Sequence, residues 1–170
     1  ALNLAQSFYI PYYGRPGDPS GLLYWSSQIS SSGGLLQIRE DFGNSEEFNE
    51  RFGNLSSIEL INNLYQQMFS RTAEVEGLNF WATALNEGRT TLASAALEIL
   101  NGAQGGDIQS FQNKLEAANY FTASLDTEVE IQNYQNLNAA QIAANLLEQV
   151  NKEQTTLERF KDIDDQENGQ

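Results

Sequence analysis

The fold is decided by residues 64–85, which read LYQQMFSRTAEVEGLNFWATAL, and by their near copy at residues 8–29, which read FYIPYYGRPGDPSGLLYWSSQI. The two stretches align without a gap at an offset of 56 residues, and the two tryptophans of the chain, Trp25 and Trp81, fall at the same position. Self-similarity at a fixed offset is typical of a repeated supersecondary unit. The chain is therefore predicted to contain the same structural unit twice.

Each copy has the pattern of a helix, a short loop and a second helix. Apolar residues recur at three- and four-residue spacing on both sides of the loop, as they do on the buried face of an amphipathic helix. The arginine at the end of the first helix complements the helix dipole, and Asp18 followed by Pro19 is a typical N-cap and first turn. The shared residues are predicted to form a structural corner in each copy: Arg15, Asp18, Gly21 and Trp25 (corner one), and Arg71, Glu74, Gly77 and Trp81 (corner two).

The whole chain is predicted to be all-α, because no segment alternates between apolar and polar residues with the period of two that strands require. We expect one compact helical domain of duplicated helix–loop–helix units, followed by further helices. The predicted divisions are a duplicated domain at 1–125, with unit one at about 4–57 and unit two at about 58–125, a helical extension at 126–161 and an acidic tail at 162–170.

Composition excludes several classes of function. The 170 residues contain 23 acidic and 9 basic side chains, a net charge of −14, and neither histidine nor cysteine. Histidine- or cysteine-based catalysis, zinc and iron–sulfur centres and disulfides are therefore excluded. The negative charge disfavours nucleic acid, and no apolar run is long enough to span a bilayer. No acidic pair is set in apolar surroundings, so we expect neither an enzyme nor a cofactor.

Aromatic residues near the N-terminus raise a question of exposure. Tyr9, Tyr12 and Tyr13 form a strip that is interpreted either as a surface for contacts with partners or as part of the core. For Trp25 and Trp81 the core is favoured over a sugar-stacking surface, because each lies at helical spacing from leucine or isoleucine.

Carboxylates raise the question of calcium, which takes six to eight oxygen ligands. The two arginine–acid pairs could belong to a ligand or calcium pocket, although a local salt bridge is the favoured interpretation. No acidic cluster has the pattern of a calcium-binding loop. Diffuse screening of the acidic surface by divalent ions is therefore favoured over specific binding at any of these clusters. The clusters are Glu40–Asp41 with Glu46–Glu47, Asp126 with Glu128 and Glu130, and, as candidate metal ligands, Asp162, Asp164 and Asp165.

An extracellular location is favoured by the make-up of the surface. The sequence has 17 Asn and 15 Gln but only three lysines, and it lacks cysteine, which suits exported bacterial proteins that avoid oxidative pairing. Because the chain begins at Ala1 rather than at a methionine, we expect either a removed leader or a longer parent polypeptide.

A series of motifs runs from the end of unit one through unit two: Ser45-Glu46-Glu47-Phe48, Leu55-Ser56, Leu64-Tyr65, Phe69-Ser70-Arg71, Glu74, Gly77-Leu78, Phe80-Trp81, Leu85 and Gly88. These motifs resemble a bacterial helical domain of unknown function with the signature S-x-E-F…L-Y…L-G-R-x-x-D-x-x-G-L-x-Y-W…L…G. Ser70 stands where the family usually has glycine, and Glu74 where it has aspartate. The resemblance extends over about residues 4–125.

The resemblance implies an all-helical module that is distantly similar to phycobilisome linker domains and that recurs in secreted repeats-in-toxin adhesins and surface-layer proteins. It provides no catalytic residues to transfer. We therefore expect an extracellular assembly module, a subunit or domain of a surface layer, filament or adhesin, with further copies of itself as partners. The alternatives are a module that anchors to cell-surface polysaccharide and a phycobilisome-linker-like scaffold, which the charge of −14 disfavours.

Overall fold

The computed structural model describes residues 2–31, 34–135 and 137–153, and within these ranges the chain forms ten helices and no strand. The prediction of an all-α fold is confirmed. The helices are α1 (Leu2–Tyr13), α2 (Pro19–Ser30), α3 (Gly34–Gly43), α4 (Glu46–Phe52), α5 (Ser57–Phe69), α6 (Val75–Asn86), α7 (Leu92–Asn101), α8 (Gly106–Ser124), α9 (Glu128–Tyr134) and α10 (Leu137–Glu148). The predicted tail at 162–170 lies outside the described residues.

The first helix, α1, is the centre of the molecule. Every residue from Phe8 to Tyr13 is buried, so the helix has no solvent-facing side over its last two turns. A helix that is apolar all round is a buried helix. Its tyrosines belong to a core cluster shared with α5 and α7, while Ile10 belongs to a second cluster with α8 and α10. The two clusters therefore meet at α1.

The interpretation of Tyr9, Tyr12 and Tyr13 as an exposed contact strip is wrong. Their rings surround Phe42, with ring centres 5.3, 5.4 and 5.1 Å from that of Phe42, and they are only 3 %, 0 % and 4 % exposed. Tyr12 donates its hydroxyl hydrogen to the carbonyl of Ala93 over 2.9 Å. Burial of large rings stabilises a core, provided that each hydroxyl finds a partner.

The first helix of each unit ends in the same way. Gly14 follows α1 with φ +61°, and Ser70, 56 positions later, follows α5 with φ +55°. This left-handed conformation closes a helix and usually requires glycine, because other residues adopt it at a cost. The Ser70 hydroxyl donates to the carbonyl oxygen of Val150, a contact that offsets part of that cost and ties the end of α5 to the segment after α10.

Helix α9 lies within the segment 126–161 that the sequence predicts to be helical, although its seven residues show too little periodicity to fix its ends. It begins with a capping box in which the carboxylate of Glu130 accepts hydrogen bonds from the backbone nitrogen and hydroxyl of Thr127, at 3.0 and 2.7 Å. Glu130, proposed from the sequence as part of an acidic cluster, is thus a capping residue. The helix ends at Tyr134, which packs on corner one.

Candidate functional site

Corner one is organised by the guanidinium group of Arg15. Nε and Nη2 donate to the two carboxylate oxygens of Glu47 at 2.6 and 2.8 Å, and Nη1 donates to the carbonyl of Pro16 at 2.9 Å. The group also stacks on the Tyr9 ring, 5.1 Å from its centre. Burial lowers the pKa of Arg15, but the hydrogen bonds and charge interactions with Glu47 and Tyr134 together outweigh burial and raise the pKa above its ordinary value. Asp18, at 4.0 Å, is the more distant acid.

Corner two repeats these contacts atom for atom. Arg71 donates from Nε and Nη2 to the carboxylate of Asp107 at 2.7 and 2.8 Å, and from Nη1 to the carbonyl of Thr72 at 2.9 Å. It stacks on the Tyr65 ring, 5.1 Å from its centre. Glu74, predicted as its partner, lies 3.0 Å away. The duplicated sequence has therefore kept a duplicated hydrogen-bond network.

Sequence reasoning missed the principal acid of both corners. Glu47 lies in the first turn of α4 and Asp107 in the first turn of α8, where the helix dipole favours a carboxylate. Their separation is 107 − 47 = 60 residues, whereas the arginines are 56 apart. A gap-free alignment cannot pair them.

The glycine of the corner has a different role in each unit. A Cβ atom on Gly21 would lie 2.3 Å from the Tyr9 hydroxyl oxygen, so no side chain fits there. Gly21 also donates its backbone N–H to Asp18 at 2.9 Å, which confirms the predicted N-cap of α2. A Cβ on Gly77 would meet the Tyr65 hydroxyl at 3.6 Å, an ordinary contact. The steric requirement for glycine therefore holds in corner one only.

The two corners differ most in what covers them. In corner one, the Tyr134 ring lies over Arg15, 5.6 Å from the guanidinium carbon, and its hydroxyl donates to the Pro16 carbonyl. Corner two opens instead into a cleft of 510 Å³ whose wall includes Arg71, Asp107 and Lys152. The Arg71 side chain is accordingly 34 % exposed, against 10 % for Arg15.

Both tryptophans pack against the core, but the residue before each of them is an exposed aromatic residue. Trp25 and Trp81 are half-buried, and Tyr24 and Phe80 are 55 % and 56 % exposed. Each neighbouring pair meets edge to face with ring centres 5.0 Å apart. The exposed aromatic surface thus lies on α2 and α6, rather than on α1.

A second cleft, of 210 Å³, lies beside the buried Lys114. The Lys114 amine donates to the carbonyl oxygens of Gln66 and Leu147 at 3.3 and 3.0 Å. The wall of this cleft is rich in amide side chains, namely Asn63, Gln66, Gln67, Gln141 and Asn145, and it also includes Arg51 and Glu148. Lys114 was not singled out in the sequence, because one lysine on a polar helix has no distinguishing pattern.

Lys114 gives the protein a predicted rise in stability at alkaline pH. Burial lowers the pKa of this amine to about 8, against the opposing effect of Glu148, from an ordinary value of 10.5. Between these values the unfolded chain binds more protons than the folded one, so the free energy of unfolding increases with pH, by up to about 3 kcal/mol in total. Above a pH of about 10 the buried tyrosines reverse the slope, because burial raises the pKa of Tyr13 and Tyr134 to about 12.

Urea unfolding at a series of pH values between 7.5 and 10 (roughly the window set by these pKa values) measures this effect. The Lys114→Met variant should lose the rise, and the carbonyls of Gln66 and Leu147 keep their backbone partners, Ser70 and Val150. Lys152→Met, at an exposed lysine, is the matched control and should keep the rise. An identical pH dependence in all three proteins would contradict the prediction.

Metal binding finds no support in the described part of the chain. No group of three or more carboxylates there is arranged to hold an ion. Glu47, from one of the acidic clusters, is bound by Arg15. The candidate ligands Asp162, Asp164 and Asp165 lie outside the described residues.

Among the described helices, none combines the length and the apolar character that crossing a membrane requires.

Part of the chain matches a known protein family. Residues 39–103 match a family described as a domain of unknown function, DUF4214. The match runs from within α3 to just beyond α7 and covers less than half of the chain. It includes the predicted residues of corner two, from Arg71 to Trp81, but not Asp107. Searches of curated proteins and of solved structures gave no significant match.

Proposed function

We propose that this chain is an extracellular structural module that associates with further copies of itself, as a subunit or domain of a surface layer, a filament or an adhesin. The observation that carries the proposal is the surface of α2. This helix has no charged residue, and it exposes two consecutive large side chains, Leu23 and Tyr24, at 61 % and 55 %. Apolar side chains grouped on a surface mark contact sites. The proposal assigns the chain no catalytic reaction.

The distribution of charge supports a contact through the same region. Residues 1–38 contain one arginine and one aspartate, so the entire net charge of −14 comes from residues 39–170. Two copies repel each other through their acidic parts, and the repulsion is weakest where the uncharged part of one copy faces the other. A contact through α2 therefore adds little electrostatic cost to association.

Mass in solution tests the proposal. Multi-angle light scattering over a wide range of concentrations, with and without millimolar calcium, should show masses that rise above the 18.9 kDa of one chain. Negative-stain images of the same samples should show filaments or sheets. A stable contact should bury about 1,200 Å² or more. Association only with calcium would direct attention to Asp162, Asp164 and Asp165, and a monomer under all conditions would contradict the proposal.

Anchoring to cell-surface polysaccharide is the second candidate, and the amide-rich cleft beside Lys114 favours it. Amide side chains both donate and accept hydrogen bonds, which suits the hydroxyl groups of sugars. Saturable binding on a glycan panel is expected to be lost in Asn63→Ala and Gln67→Ala and kept in Gln112→Ala, an exposed position outside the cleft. The buried Tyr12 and Tyr13 are unsuitable for this test. An absence of binding across the panel would remove this candidate.

A further inference from the structure

We propose that corner two binds the Tyr24 side chain of a second copy of this chain, and that the copies associate head to tail through this contact. The inference rests on the assembly function proposed above and identifies its interface. It follows from a comparison of the two corners, because Tyr134 covers the arginine of corner one and, among the described residues, corner two has no counterpart of Tyr134.

Corner one shows how such a site accepts a tyrosine. The Tyr134 hydroxyl donates to the carbonyl of Pro16, and its ring lies against the guanidinium group of Arg15, whose own Nη1 donates to the same carbonyl. A guanidinium group attracts the face of an aromatic ring, and the attraction is strongest where water is excluded. The corner thus offers a flat cation for the ring and a carbonyl acceptor for the hydroxyl group.

In the described part of the chain, the same two groups of corner two are more accessible: the Arg71 side chain is 34 % exposed, and Thr72 is exposed beside it, outside the wall of the cleft. The Thr72 carbonyl takes the place of Pro16 and accepts a hydrogen bond from Arg71 over the same 2.9 Å. Among the described residues, the ring of Tyr65, the counterpart of Tyr9, is the one that stacks on Arg71, and none takes the position of Tyr134. The cleft of 510 Å³ lies within the size range of pockets that enclose a ligand.

The charges nearest to Arg71 in corner two disfavour an anionic occupant. Glu74 and Asp107 both lie within 3.0 Å of the Arg71 guanidinium and satisfy its charge. A carboxylate or phosphate would be repelled by these two acids. A phenol avoids that repulsion, because it is neutral near pH 7 and its hydroxyl donates to the Thr72 carbonyl. Corner two is therefore suited to tyrosine rather than to an acidic side chain.

Tyr24 is the tyrosine that a second copy can offer. Five of the seven tyrosines are buried and Tyr120 is half-buried, whereas Tyr24 is 55 % exposed on the uncharged helix α2. Tyr134 is held in its own corner one. Because Tyr24 lies in unit one and corner two in unit two, the contact joins different surfaces, and such contacts extend into open chains unless the rotation closes a ring.

Light scattering on two variants tests the inference. Tyr24→Ala removes the inserted side chain and Arg71→Ala removes the receiving group, so each variant alone should stay at 18.9 kDa at concentrations where the unmodified protein associates. Mixed in equal amounts, they should form a dimer of 2 × 18.9 = 37.8 kDa and nothing larger, because only one functional pair of surfaces remains. Phe80→Ala, at the repeat counterpart of Tyr24, is the matched control and should associate normally. Circular dichroism verifies that each variant is folded.

The outcomes separate this inference from the proposed function. If the unmodified protein associates and Tyr24→Ala associates equally well, the inference is overturned and the assembly function stands. A mixture of the two variants that remains monomeric overturns it as well. If the unmodified protein does not associate at all, both the assembly function and this interface are overturned.

Discussion

Replacement of Arg15 by alanine should lower the free energy of unfolding by about 3–5 kcal/mol, the usual cost of removing one member of a buried ion pair. The Glu47 carboxylate would lose both of its hydrogen bonds to the guanidinium group while remaining largely covered. The Tyr9 and Tyr134 rings would also lose the cation on which they pack. Equilibrium urea unfolding followed by circular dichroism measures the change.

Arg71→Ala is the internal control for this experiment. It removes the same set of hydrogen bonds, but from a side chain that is one-third exposed and that is also paired with Glu74, an acid whose side chain is 71 % exposed. Exposed ion pairs contribute about 0–1 kcal/mol, so the expected loss is about 1 kcal/mol. Equal losses in the two variants would show that the Tyr134 cover does not matter to corner one.

Phe42→Ala should be comparably damaging, with a loss of about 3–5 kcal/mol, because a fully buried ring leaves a cavity that its surroundings fill only in part. The Phe42 ring is 0 % exposed, and its centre lies 4.3 Å from that of Trp25 and 5.1 Å from that of Tyr13. For a chain of this length the melting temperature should fall by roughly 10–15 °C.

Thermal unfolding of Phe42→Ala beside Phe80→Ala isolates the effect of burial. Both variants lose a phenylalanine ring, but Phe80 is 56 % exposed. Substitutions at exposed positions usually change stability by about 0.5 kcal/mol or less, so Phe80→Ala should melt close to the unmodified protein. Near-ultraviolet circular dichroism of Phe42→Ala should also change, because the environment of Trp25 is disturbed. Similar melting temperatures for the two variants would contradict the packing described around Phe42.

The all-α fold could be predicted because helical periodicity is a local property of the sequence. The corner arginines and the N-cap Asp18 could be identified for the same reason, since their neighbours in sequence are their neighbours in space. Glu47 and Asp107 could not be identified, because they reach the corners from helices that start 31 and 35 residues after the arginines (46 − 15 and 106 − 71). Because Glu47 and Asp107 are 60 residues apart and the arginines 56, the gap-free alignment did not pair the two acids.

The tyrosines of α1 show where residue type misleads. Their place in an aromatic strip near the N-terminus suggested a contact surface, although the run from Phe8 to Tyr13 is apolar on all sides of a helix, which is the pattern of a buried one. The structure resolves the conflict through hydrogen bonds: Tyr12 donates to the Ala93 carbonyl and Tyr13 to the Ser45 hydroxyl, at 2.9 and 2.7 Å. Neither partner could be inferred from the sequence.

The central position of α1 has a consequence for folding during synthesis. The residues that cover α1 and the corner after it come from far along the chain. Thr122 accepts a hydrogen bond from Gln6 at 2.9 Å across 116 residues, and the Tyr134 hydroxyl donates to the Pro16 carbonyl across 118 residues. At about 5–20 residues per second, roughly ten seconds separate the synthesis of α1 from that of its cover. Helices α5 to α8 of unit two pack on one another and also on α1, α3 and α10, and the contacts between neighbouring helices, such as α5 with α6, form faster. The first helix to be made is thus among the last to be enclosed.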